Sequence, residues 1–159
     1  MSSKYKIEKE WDNAGLPCVV LMTDMGHRCG YVGVPKGHKW YGTNYDDVQR
    51  SDGGYIEVHG GLTYGREGGK GYPSEKKEGF FWFGFDCAHY GDSPDPSINP
   101  HYAEMMSDGG EIRSLDYCVV ECEKLARQLN DIPEPPEPDY GADGPTERNH
   151  RLDEARRMK

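Results

Sequence analysis

Apolar residues come in short runs along this chain, each bounded by glycine, proline or turn-forming polar residues, a pattern that predicts strands more often than helices. The stretch before Gly15 reads as polar and predicts no element. Cys18 to Met22 predicts a strand, Asp24 to His27 a turn, and Cys29 to Val34 a second strand ended by Pro35. Two such runs across a short glycine-containing turn make an antiparallel hairpin. Further on, Asn44 to Val48 predicts one helical turn, Tyr55 to Val58 a third strand and Phe80 to Phe85 a fourth. The span from Gly65 to Gly79 is rich in Gly, Lys and Glu, so it predicts a long loop of the kind that carries function or moves. Prolines at 94, 96 and 100 predict an irregular path from Ser93 to Pro100.

The period changes once. Leu115, Cys118, Val119, Cys122, Leu125 and Leu129 recur at spacings of three and four, which predicts a helix from Ser114 to Leu129 with one apolar face. Ser114 suits the N-cap and Asp116 the first turn. Together these elements predict an α+β fold: a small antiparallel sheet of about four or more strands with one long C-terminal helix packed on it. A single domain would span residues 1–130. Residues 131–159 would form a flexible tail, first rich in Pro and acids, then basic at Arg148, Arg151, Arg156, Arg157 and Lys159.

Composition narrows the function classes. Only 35% of the 159 residues are hydrophobic, but 11 Tyr and 3 Trp let a few large rings fill a modest core. The net charge of -9 argues against direct nucleic-acid binding, which needs clustered Lys and Arg, and permits a basic partner. Five cysteines without a CxxC pair, an N-terminus without the apolar core of a signal peptide and no bilayer-length apolar stretch point to a reduced, cytoplasmic setting with no membrane partner.

Two strand ends carry the candidate chemistry. Tyr55 to Val58 runs into His59-Gly60-Gly61-Leu62-Thr63-Tyr64, and Phe80 to Phe85 runs into Asp86-Cys87-Ala88-His89-Tyr90-Gly91-Asp92. The glycine pair can turn sharply and offer backbone N–H groups to an anion. His59, Asp86, His89 and Asp92 form a mixed nitrogen and oxygen set that suits a divalent metal able to activate water. Cys87 with His59 or His89 as base suits a thiol nucleophile. The same residues have structural uses: Asp86 accepting hydrogen bonds from the Gly60-Gly61 turn, His89 ordering the following loop, Cys87 buried and inert. Arg28, Lys36, Trp40 and Tyr41 offer cations and rings to a nucleotide, or close one end of the core.

These motifs, with Cys29 to His38 and the helix from Asp116 to Ala126, resemble those of an uncharacterised family of small bacteriophage and prophage proteins. The likeness spans about residues 17 to 130. It implies a viral accessory protein in the bacterial host cytosol, engaged in counter-defence by binding a host-derived ligand, such as a nucleotide signal, or a host defence protein. The ligand would meet His59, Gly60, Gly61, Asp86, Cys87, His89 and Asp92, with Trp40, Tyr64 or Tyr90 as a stacking surface. The alternatives are a metal-dependent or cysteine hydrolase built on the same cluster, and an acidic inhibitor of a DNA-binding complex. Whether the chain is catalytic, holds a divalent metal or forms an oligomer stays open at this level.

Overall fold

The structure, a computed structural model, describes residues 5–49, 56–69, 77–106 and 109–132. Its strands are β1 (Tyr5–Asn13), β2 (Leu16–Thr23), β3 (Arg28–Pro35), β4 (Tyr64–Glu67) and β5 (Phe80–Asp86). Its helices are α1 (Tyr45–Gln49), α2 (Pro100–Met106) and α3 (Leu115–Asp131). The strands form one antiparallel sheet in the order β1-β2-β3-β5-β4. The α+β architecture, with the long helix packed on the sheet, is the one the apolar pattern predicts. Of the expected tail, residues 131–159, Asp131 ends α3 and Ile132 packs in the main core, while the part from residue 133 onward lies outside the described residues.

Side chains alternate across the pleat, so each strand feeds two apolar layers. Val20, Val32, Phe83 and Phe85 join Cys122, Leu125 and Leu129 of α3 in the main core. On the opposite face Val19, Leu21, Tyr31 and Trp82 form a second cluster, rimmed by Tyr5, Ile7, Cys29, Tyr64 and Phe80. Ser114 caps α3 as expected, its side chain accepting the Tyr117 N–H. The buried stripe of α3 also contains Glu121, which the spacing of apolar residues does not reveal.

Three local expectations are revised. The polar N-terminal stretch is strand β1, an edge strand whose register shifts between Ile7 and Lys9. That bulge moves Tyr5 and Ile7 to one layer and Trp11 to the other, which hides the alternation. Residues 56–58 are not in a strand, and Tyr55 lies outside the described residues. Instead, the Glu57 N–H donates to Gln128 Oε1 at 2.7 Å, and Gln128 Nε2 donates to the Glu57 carbonyl at 2.9 Å. One side-chain amide of α3 thus replaces a neighbouring strand. The expected long loop begins as strand β4, paired with β5; residues 70–76 lie outside the described residues. The proline-rich stretch is irregular from Ser93 to Asn99, as expected, and helix α2 follows it. Pro100 is its first residue, and the Asn99 side chain accepts the Tyr102 N–H at 3.1 Å, a capping arrangement that a proline at this position favours.

Candidate functional site

The two polar motifs meet, although the first does not follow a strand, and α3 is what joins them. The His59 N–H donates to Glu121 Oε1 at 2.8 Å, fixing the residue against the helix. The His59 ring then lies between two partners, with Nδ1 2.8 Å from Tyr117 Oη and Nε2 2.8 Å from Asp92 Oδ2. Arg113 Nε donates to Asp92 Oδ1 at 2.8 Å, and the His89 N–H donates to Asp92 Oδ2 at 3.0 Å. The Arg113 guanidinium also lies over the Tyr117 ring, 5.3 Å from its centroid. The result is a continuous chain Tyr117–His59–Asp92–Arg113 at the start of α3.

Asp92 is the centre of this chain, and its side chain is only 1% exposed. Burial raises its carboxyl pKa, but the hydrogen bonds from His59, Arg113 and the His89 backbone outweigh that and hold it below the ordinary value of 3.8. The same contact raises the Arg113 guanidinium. Burial also raises the Tyr117 hydroxyl, with Glu121 adding to it, so the phenol stays neutral at physiological pH.

Asp86 and His89 form a second, looser pair. Asp86 Oδ2 accepts the Thr63 hydroxyl at 3.0 Å, and Asp86 Oδ1 accepts the Ala88 N–H at 3.1 Å. His89 Nε2 lies 3.3 Å from Asp86 Oδ1 without making a hydrogen bond. Each of these two side chains is about a third exposed, at 36% and 34%. The Gly60-Gly61 turn is not held by Asp86, as the sequence suggested. The Gly61 N–H donates to the Val58 carbonyl at 2.9 Å, and the Leu62 N–H to Gln49 Oε1 at 2.6 Å. The Gly61 donor is therefore spent within the turn rather than turned to a ligand.

Gly60 has a different task. Its φ is +69°, and a Cβ there would overlap the His89 ring. The residue is the floor on which that imidazole rests. Gly60→Ala should displace His89 and cost about 1–3 kcal/mol through strain and overpacking. Denaturant unfolding reads the cost, and the His89 ring resonances read the displacement.

Several expected contributors lie elsewhere. Trp40 is fully buried in the main core with its indole N–H directed at the Ile132 carbonyl, 3.4 Å away, so it offers no stacking surface. Tyr41 is buried in the same core, and Arg28 is spent on Glu8 and the Arg113 carbonyl. Tyr64 sits edge-on to Tyr31, centroids 5.0 Å apart, in the layer opposite α3. Tyr90 is fully exposed at the loop tip.

Cys87 is buried with its sulfur 3.6 Å from that of Cys118. The hydrogen bond to Cys118 and burial both push the Cys87 thiol up, away from the thiolate a nucleophile needs. Thiol-reagent labelling read by mass spectrometry should therefore modify Cys29 before the others, because Cys18, Cys87, Cys118 and Cys122 are buried. Rapid labelling of Cys87 in the folded protein would contradict this burial. Of the expected metal ligands, His59 binds Asp92 and His89 faces Asp86. Among the described residues no three His, Cys, Asp or Glu side chains are placed to hold a metal ion.

Beside the Asp86 pair lies an open groove of about 390 Å³, lined in part by Asp24, Met25, His27, Asp86, Ala88 and Tyr102. His27 Nδ1 is 2.8 Å from the Cys87 carbonyl, which makes it the protonated nitrogen in the neutral ring and leaves Nε2 as an acceptor. Tyr102 stands edge-on to His27, centroids 5.8 Å apart. Burial and Asp86 push the groove's Cys29 thiol up to about 12. Sequence reasoning missed Tyr102, Arg113, Tyr117 and Glu121 as site residues, because each joins the site across a long stretch of chain.

Compared with protein-family models, with curated proteins and with solved structures, the chain matches none. No helix among the described residues is long and apolar enough to cross a membrane.

Proposed function

We propose that this chain is a phage-type accessory protein of the host cytosol that serves counter-defence by binding a small host-derived ligand in the groove beside Asp86. One observation carries the reading. The residues with reactive chemistry are committed to one another, Asp92 to His59 and Arg113, Cys87 to Cys118, whereas Asp86, His27 and Tyr102 border an open groove. A groove of a few hundred Å³ with apolar walls and a few polar groups suits a small molecule.

The groove's charge restricts the ligand. Asp24 and Asp86 would repel phosphate, so a nucleotide would place its base between Met25 and Tyr102 and keep its phosphates outside. A neutral or cationic ring is the better fit. Native mass spectrometry and thermal shift after exposure to infected-cell extract test the proposal. A retained ligand that is lost in both Tyr102→Ala and Asp86→Asn supports it. No retained mass and no shift in melting temperature would sink it.

A second reading is favoured by the Tyr117–His59–Asp92 geometry. A hydroxyl, an imidazole and a carboxylate in series have the order of a nucleophile, its base and the group that orients the base. A hydrolase of this kind would use Tyr117 as the attacking group. Tyr117→Phe should then abolish turnover of ester or phosphoester substrates and leave groove binding intact. If ligand retention is unchanged and no turnover exists to lose, the relay is structural.

A further inference from the structure

The lobe around α2, described at residues 93–106 and 109–112, combines acids with exposed apolar side chains. From Ser93 to Ile112 the sequence holds four acids (Asp95, Glu104, Asp108 and Glu111) and no lysine or arginine. Arg113, the next cation, is spent on Asp92 and Glu111. This lobe also concentrates exposed apolar surface. Seven large hydrophobic side chains are exposed among the described residues, and five of them lie between positions 90 and 112. Met105 is 68% exposed, Met106 50%, Ile112 47% and Ile98 45%. A sixth, Met25, borders the lobe, since its Sδ is 3.8 Å from Asn99 Nδ2 and the Asp95 N–H donates to the Gly26 carbonyl.

Helix α2 explains the exposure. Only Ala103 of its seven residues is buried, so its methionines project outward. A second groove of about 390 Å³ runs along it, walled by Pro94, Pro96, Pro100, Ala103 and Ile112, with Glu104 at its edge. Flexible methionines beside a proline-walled groove adapt to apolar side chains of varied shape. Exposed Glu104, and Glu111, whose side chain stays 78% exposed beside Arg113, steer a positive partner and reject a negative one.

We propose that this lobe is a docking surface for a basic amphipathic segment of a partner protein, its apolar side chains seated on Met105, Met106 and the proline-walled groove and its cations facing Glu104 and Glu111. This goes beyond the ligand reading, since the surface differs from the Asp86 groove and each can fail without the other.

The test uses the full chain and an idealised Leu/Lys amphipathic helical peptide, with a Leu/Glu helix and a Lys peptide lacking leucine as controls. Fluorescence anisotropy should show salt-sensitive binding of the Leu/Lys helix and much weaker binding of both controls. Met105→Lys/Met106→Lys should weaken it at least about tenfold, as expected for central apolar anchors. The charge-matched variant Val120→Lys/Asp12→Asn and the groove variant Asp86→Asn should bind nearly as the parent does. Ile112→Lys gives a second, independent variant, and circular dichroism checks that each folds. Equal weakening by the patch and charge-matched variants would reduce the effect to bulk charge and overturn the proposal. So would equal binding of the Leu/Glu helix. A concentration-dependent dimer abolished by Met105→Lys/Met106→Lys would make the occupant a second copy, which also overturns it.

Discussion

Asp92→Ala should destabilise the fold by about 3–5 kcal/mol, the usual cost of removing one partner from a buried charge network. Three groups donate to this carboxylate: the His59 ring, the Arg113 guanidinium and the His89 N–H. Its loss leaves the His89 N–H and the His59 ring without their acceptor, where the carboxylate is only 1% exposed. It also removes the ties of loop 86–92 to His59 and Arg113, so the Asp86 groove should lose definition along with stability. Urea unfolding measures the first effect, and ligand retention measures the second. Asp92→Asn keeps the shape and one acceptor oxygen but loses the charge, and its cost should fall below that of alanine.

The same carboxylate sets the response to acid. Its folded pKa lies below the ordinary 3.8, so it binds fewer protons folded than unfolded as pH falls. Its contribution is complete above the unfolded value and is lost as pH drops through the lowered folded value. Stability measured from about pH 5 down to pH 2 should fall in the parent and fall less in Asp92→Asn. A parallel decline in both proteins would show that other carboxylates dominate acid unfolding.

Trp82→Ala should cost about 3–5 kcal/mol, as large aromatic truncations in cores do. Trp82 is 1% exposed in the layer opposite α3. Its indole N–H donates to the Lys77 carbonyl at 3.1 Å. Its ring lies flat on the neighbouring strand because Gly33, its register partner, has no side chain; a Cβ there would come within 2.9 Å of the indole. Gly33→Ala alone should therefore destabilise by about 1–3 kcal/mol through overpacking. The double variant should cost less than the two single changes added together, because the added methyl enters space the ring has vacated. Full additivity in denaturant unfolding would mean that the ring does not rest on Gly33.

This pair shows what a linear pattern conveys. Glycines at 30, 33 and 84 look like interruptions in strands β3 and β5, yet the strands are where the apolar runs place them. The runs from Cys18 to Met22, Cys29 to Val34 and Phe80 to Phe85 are continuous enough that burial on both faces is the simplest solution. The spacing in α3 was equally plain, because its partners on the sheet cover one stripe only. Strand β1 escaped because an edge strand with a bulge exposes charges and changes face midway. Residues 56–58 were misread because an apolar run reports burial and does not report which group satisfies its backbone; here the Gln128 amide does so.

For the site, the local chain determined that two polar motifs end apolar runs and that His59 and the 86–92 loop belong together. Only the tertiary structure decided how those residues are used. Asp92 is separated from His59 by 33 positions and from Arg113 by 21, and Tyr117 lies 58 positions from His59. No periodicity encodes such pairings. They arise when α3 settles on the sheet and brings its first turn against both loops. A buried carboxylate must then find its donors among whatever groups that packing delivers, and a thiol, a glycine or an indole becomes reactive, structural or inert according to the same packing.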